Sequence, residues 1–174
     1  MTWLLIAAFA ATIPVANWMI GNVGWICPPG QPCLIPVWPG ILAPSGVLAI
    51  GVALVLRDLV QSRSGAAGAL FAVLLGTLLS LWVTQPELAL ASAAAFLFSE
   101  LADFAVYTPL YRRRLALAVI ASGLVGAAVD SALFLWLAFG DLTHFKGQII
   151  GKLYASGVFA GWLALQRGGM RFEG

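Results

Sequence analysis

Charge is what this sequence has least of. Of its 174 residues, 9% are Asp, Glu, Lys or Arg, against about 25% in a soluble domain. A chain so poor in charge, and 61% hydrophobic, belongs in a lipid bilayer. It holds no basic block of the kind that follows nucleic-acid phosphates, so no nucleic-acid partner is expected. Histidine is almost missing: His144 stands alone, in a polar turn where solvation accounts for it. Cysteine is limited to Cys27 and Cys33. Two thiols without a nearby histidine fall short of a metal site, and no metal or other cofactor is expected. The phosphate-binding pattern GxxxxGK(S/T) is absent, as are HExxH and GxSxG. The chain therefore reads as a non-enzyme that cannot hydrolyse ATP by itself. Ser156 follows Lys152 by one turn, a spacing that chance supplies readily, so it does not carry a Ser–Lys protease reading.

What is present is a series of apolar runs. About 20 apolar residues cross a hydrocarbon core at 1.5 Å rise each. Six runs qualify: Thr2–Met19, Ile41–Leu59 (weakened by Pro44), Ala66–Val83, Leu88–Tyr107, Leu115–Phe139 and Phe145–Leu165. Short polar or Gly/Pro-bearing stretches separate them. The expectation is an all-α membrane protein, one integral domain over residues 1–174, with six transmembrane helices. A cleaved signal peptide is the competing reading of the first run. That run has no Lys or Arg before it, and its removal would leave five spans.

The cations set an orientation. With six spans, Arg57, Arg63, Arg112, Arg113, Arg114, Arg167 and Arg171 fall on one face and Lys146 on the other, leaving Lys152 inside the membrane. The positive-inside rule then places both termini in the cytoplasm. The localisation expected is a bacterial-type inner membrane, crossed several times. The loop Gly21–Pro39 lies outside and carries CPPGQPC. On an oxidising face Cys27 and Cys33 can form a disulfide; two unpaired small residues in a loop are the alternative. Trp25 and Trp38 suit headgroup level. Small residues such as Gly51, Gly76, Gly157 and Gly161 crowd the spans. They read as close helix packing within one chain, with a homo-oligomer face as the alternative.

Against this background a few polar residues stand out. Charged side chains inside a bilayer are expensive and tend to mark a ligand site or an ion path. They are Asp58, Glu100, Asp103, Asp130 and Lys152, joined by the neutral amide of Asn17. Glu100 and Asp103 stand three apart on one helix face, which Tyr107 extends. Asp130 is fifteen residues beyond Leu115, about 22 Å into its span, too deep for an interfacial role. Lys152 is six beyond Lys146, about 9 Å from the outer end. The two share a layer with Asn17. The bland reading of Asp130 and Lys152 is a structural ion pair, and that of Asp103 is a partner for Arg112–Arg114. Asp58 in turn can pair with Arg57 or Arg63.

Several pieces then match a known family in order: VANWMIG, GVLAIGVALVLRDLVQSRSG, SELADFAVYTPLYRRR, ASGLVGAAVDSALFLWLAFG and the region around Lys152. The chain resembles the vitamin uptake transporter family, whose characterised members are queuosine precursor transporters. The CPPGQPC loop has no counterpart in that resemblance. The resemblance implies a fold similar to the substrate-binding components of energy-coupling-factor transporters. It also implies import of 7-cyano- and 7-aminomethyl-7-deazaguanine, so the partners expected are a small deazapurine substrate and the lipid bilayer. Carried over by position, the polar lining is Asn17, Asp58, Glu100, Asp103, Ser122, Asp130 and Lys152. A guanine-like edge offers adjacent donors that a carboxylate accepts together, strongly in a low dielectric. The expectation is that Asp130 or Glu100 reads that edge while Lys152 or Asn17 answers the carbonyl. Trp18, Tyr107 and Phe134 are available to the flat ring. Glu100 is expected to touch substrate and Asp103 to pair with the arginines. Without an ATP motif, transport runs downhill or on an ion gradient. The alternatives are a vitamin-binding subunit served by a separate energising module, and a structural membrane protein held together by its ion pairs.

Overall fold

The computed structural model describes residues 2–111 and 115–169; the side chains at 104, 108, 111, 115–120, 160 and 163–169 lie outside that description. Helix α1 covers Thr2–Asn22, followed by strands β1 (Leu34–Trp38) and β2 (Ile41–Pro44). Helices α2 (Val47–Ser80), α3 (Pro86–Tyr111), α4 (Leu115–Phe139) and α5 (Phe145–Gly169) complete the order. Among the described residues, four helical stretches are long and apolar enough to cross a membrane: Thr2–Asn22, Val47–Ser80, Pro86–Tyr107 and Ala121–Phe139. Trp3, Leu78, Trp82, Leu101, Trp136 and Val158 are exposed. In water such a surface is a liability; against acyl chains, as apolar as leucine, it is the natural exterior of a membrane protein.

Helix α2 is bent back on itself. Gly65 inside it has φ 69° and ψ −177°, a combination open essentially to glycine alone. The two halves meet again on α1. At its start, a Cβ on Gly46 would lie 2.6 Å from the Ala16 carbonyl oxygen. At its end, Ser80 accepts a hydrogen bond from Asn17 at 3.3 Å. Ala53, Leu56 and Val60 from one half and Ala69, Ala72 and Val73 from the other pack with Ile6 and Phe9 in one core. The apolar runs 41–59 and 66–83 therefore correspond to the two arms of a single helical hairpin, with Gly65 as its turn.

Proline helps α1 and α2 approach. Pro14 lies inside α1 and has no N–H to give the carbonyl four residues back, that of Ala10. Gly76 of α2 sits against that carbonyl, where a Cβ would come within 2.6 Å. Larger residues there would hold the helices apart.

The expectation of an all-α chain needs correction in the segment after α1. There, β1 and β2 form an antiparallel hairpin, Leu34 opposite Pro44 and Trp38 opposite Ile41. The second run begins later than expected, because residues 41–44 pair as a strand and helix α2 opens only at Val47. Pro36, Pro39 and Pro44 disfavour helix here, and proline is tolerated on edge strands. The Cys33 amide donates to the Ile20 carbonyl and the Ser45 amide to the Cys33 carbonyl. The Ser45 hydroxyl donates to the Met19 carbonyl. These bonds moor the hairpin to the end of α1. A disulfide joins Cys27 to Cys33 in the loop that leads into β1. On its other side the hairpin meets α5, where Gly147 lies against the Leu42 carbonyl. Between α4 and α5, the Asp141 carboxylate accepts bonds from the Thr143 hydroxyl and amide. Those two bonds hold its pKa below the usual carboxylate value.

The small residues divide into two groups. Gly51 and Gly76 are contact points, Gly51 against Ala155 and the Lys152 carbonyl. Gly157 and Gly161 have open space where a Cβ would go, so they do not contribute to packing within the chain.

Candidate functional site

The helices enclose a cavity of about 390 Å³, within the range of small-molecule sites, about 300–1,000 Å³. Each helix gives it one stripe. Helix α3 presents Ser92, Phe96, Ser99 and Asp103, and α4 presents Gly123, Ala127, Asp130 and Phe134. Both stripes advance by four, three and four residues, one face of a 3.6-residue helix. Helix α5 adds Gln148, Lys152 and Ser156, and α1 adds Phe9, Ile13, Asn17 and Ile20. The walls are mostly apolar, and polar groups enter at three levels.

The first level is the amide of Asn17, 2% exposed. Its nitrogen donates to Ser80 Oγ and its oxygen accepts from Ser92 Oγ at 2.8 Å. These bonds tie α1 to α2 and α3. They fix the amide in place and use one of its two N–H donors.

The second level is Lys152, 1% exposed. Its ammonium forms a salt bridge to Asp130 Oδ2 and donates to Ser131 Oγ at 2.7 Å. Ser131 passes its own proton to the Ala127 carbonyl, which turns the hydroxyl oxygen towards the ammonium. The backbone of α5 reaches this depth beside Gly51, and the Ser156 hydroxyl donates to the Gly51 carbonyl. Both members of the pair line the cavity. The Asp130 carboxylate is partly exposed, which leaves it capacity for a further donor.

The third level is Arg57. Its Nε and Nη2 both donate to Asp58 Oδ1, at 2.9 and 2.6 Å, and its Nη1 donates to Glu100. Arg57, Asp58 and Asp103 line the cavity. Asp103 packs beside Gly126 of α4.

Several placements differ from the expectation. Glu100 is turned aside to Arg57 and is not in the cavity wall, whereas Asp103, three residues on, is. The helical angle explains this. Three residues advance the chain about 300° around the helix, so the two carboxylates diverge by about 60°. The arginines expected to hold Asp103, Arg112–Arg114, lie outside the described residues. Trp18 is half exposed on the outer side of α1, and Tyr107 and Ser122 also lie away from the cavity wall. Phe134 is the aromatic candidate that lines it. Among the described residues no three of His, Cys, Asp and Glu come together as a metal site.

Comparison with known families bears on the half of the chain that holds α3 to α5. The family described as "Putative vitamin uptake transporter" matches residues 81–165. Over that stretch the chain is similar to vitamin uptake transporters. No curated protein and no solved structure matches the chain. The family seen in the residues is thus the family that matches, over 85 of the 174 residues. The match is to a transporter and not to an enzyme. The segments VANWMIG and GVLAIGVALVLRDLVQSRSG fall before it.

The transporter-like half contributes Asp103, Asp130, Phe134, Gln148 and Lys152 to the cavity. Arg57, Asp58 and Asn17 come from the half before it. Several lining residues escaped the sequence reading, Arg57 and Gln148 among them. Arg57 was read only as one of the cations that set the orientation and as a partner for Asp58. Gln148 was passed over as an uncharged residue, although its spacing of four from Lys152 puts both on one face of α5.

Proposed function

We propose that the chain imports 7-deazaguanine precursors of queuosine across a bacterial-type inner membrane. In this reading six helical arms cross the bilayer, both termini are cytoplasmic, and the Lys152–Asp130 pair is the centre of the binding site. One observation carries the reading: a buried ammonium–carboxylate pair opens into a cavity of small-molecule size in the middle of an apolar helix bundle. A pair serving only to join helices gains nothing from a cavity, since paired charges are commonly no better for stability than packed apolar groups. Asp130 has capacity for an N–H of a guanine's exocyclic amine, and the lysine supplies a donor for an oxygen. Phe134, one turn along α4, offers a ring face. The match to vitamin uptake transporters supports transport as the activity.

The test is uptake of 7-cyano-7-deazaguanine by cells that neither make nor import it. Expression of the wild-type chain confers uptake, and Asp130→Asn reduces it at least tenfold at equal membrane abundance. Equal uptake by the two proteins, or no uptake by either, would overturn the proposal.

A further inference from the structure

We propose that Gln148 is a specificity-determining residue of the cavity, reading a lactam edge, an adjacent C=O and N–H, on a neutral planar heterocycle. The proposal rests on the reading of the cavity as a deazaguanine site and names the group that discriminates there.

Gln148 is 3% exposed and lines the cavity. The side-chain hydrogen bonds of α5 among the described residues come from Lys152 and Ser156, and none comes from the Gln148 amide. Among those residues, no side-chain polar atom sealed from solvent lacks a partner. The amide of Gln148 therefore opens onto the cavity, where a ligand can complete its bonds. An amide that opens onto a cavity and is not held by the protein has its donor and acceptor available to a ligand there.

The other deep polar groups are engaged. The Asn17 amide is held by Ser80 and Ser92, Lys152 by Asp130 and Ser131, and Arg57 by Asp58 and Glu100. Their chemistry also differs. A carboxylate only accepts and an ammonium only donates, whereas a primary amide does both side by side. Nε2 of Gln148 donates to a ring carbonyl while Oε1 accepts from the neighbouring ring N–H. This pairing is neutral, so it selects an uncharged lactam over an anion or a cation.

Register places a ring beside that edge. The Lys152–Asp130 contact sets α5 against α4, whose chains run in opposite directions through a short turn. One turn outward, about 6 Å, brings Gln148 on α5 and Phe134 on α4 to the same height. An edge reader and an aromatic face thus share one level of the cavity, next to the charged pair.

The test compares two probes on detergent-purified full-length protein by equilibrium binding. One is 7-cyano-7-deazaguanine; the other is its 6-deoxo analogue, which keeps the ring, the amine and the nitrile but has no lactam. Wild type is expected to prefer the lactam at least tenfold. Gln148→Met, nearly equal in volume, is expected to lose that preference through weaker lactam binding, with the analogue unchanged. Gln148→Glu keeps a polar group of the same shape but removes the donor, and it too loses the preference. A wild-type preference in either folded variant overturns the role of Gln148 while leaving the transport reading intact. Binding of neither probe by wild type overturns both.

Discussion

The buried pair of Lys152 and Asp130 is where stability and function can be separated. Removing one partner strands the other charge in a low-dielectric interior, at a cost of about 3–5 kcal/mol. Lys152→Met alone is therefore expected to lower thermal stability in detergent by roughly that much. The paired change Asp130→Leu with Lys152→Met removes both charges and is expected to return most of the stability while uptake stays lost. Restored uptake in the folded double variant would reduce the pair to a helix fastener. At this scale the sequence was informative about type and less so about direction. Charges in apolar runs singled out Asp103, Asp130 and Lys152, which line the cavity, together with Glu100, which does not. The split between Asp103 and Glu100 was not legible, because about 60° of helical angle decides it and the neighbouring helices are unknown from one strand of text. Asn17 shows the same limit: its depth was legible, but Ser80 and Ser92, which hold its amide, are distant in sequence.

Elements are decided by fewer residues than their length suggests. Helix α2 doubles back at Gly65 because that φ, ψ pair excludes a Cβ. Gly65→Ala is expected to cost about 1–3 kcal/mol and to loosen the packing of both arms on α1. The measurement is the thermal midpoint in detergent, and an unchanged midpoint would show that the turn is not strained. The polar stretch around this turn separated two runs in the sequence, so the two arms were readable as separate helices. The β1–β2 hairpin was not. Residues 41–44 are apolar and continuous with the helix that follows, and hydropathy alone does not distinguish a strand from a helix over so few residues. Pro36, Pro39 and Pro44 were the available signal, and Pro44 was read as a weakness of a helix instead of the end of a strand.

For the whole molecule, the apolar exterior and the distribution of arginines decide how it sits in the bilayer. The proposed orientation puts the Cys27–Cys33 loop outside the cell. Cys33→Ser frees the thiol of Cys27, which is exposed. That thiol is expected to react with a membrane-impermeant maleimide added to intact cells. Reaction only after the membrane is opened would invert the orientation. Membrane class was legible because composition is a property of the chain alone; the six apolar runs correspond to five helices, with four stretches among the described residues long and apolar enough to cross a membrane. The cavity was not legible, since it exists only where stripes from separate helices face one another. That cavity is the central claim, and ligand-dependent unfolding of the purified protein tests it most directly. A ligand that binds only the folded state stabilises it by RT ln(1 + [L]/Kd), about 2.7 kcal/mol at a hundredfold excess over Kd. With 7-cyano-7-deazaguanine, the wild-type Tm is predicted to climb with ligand concentration, and that of the Asp130→Leu, Lys152→Met protein to stay flat. A flat wild-type response, or an equal climb in both proteins, would contradict the account.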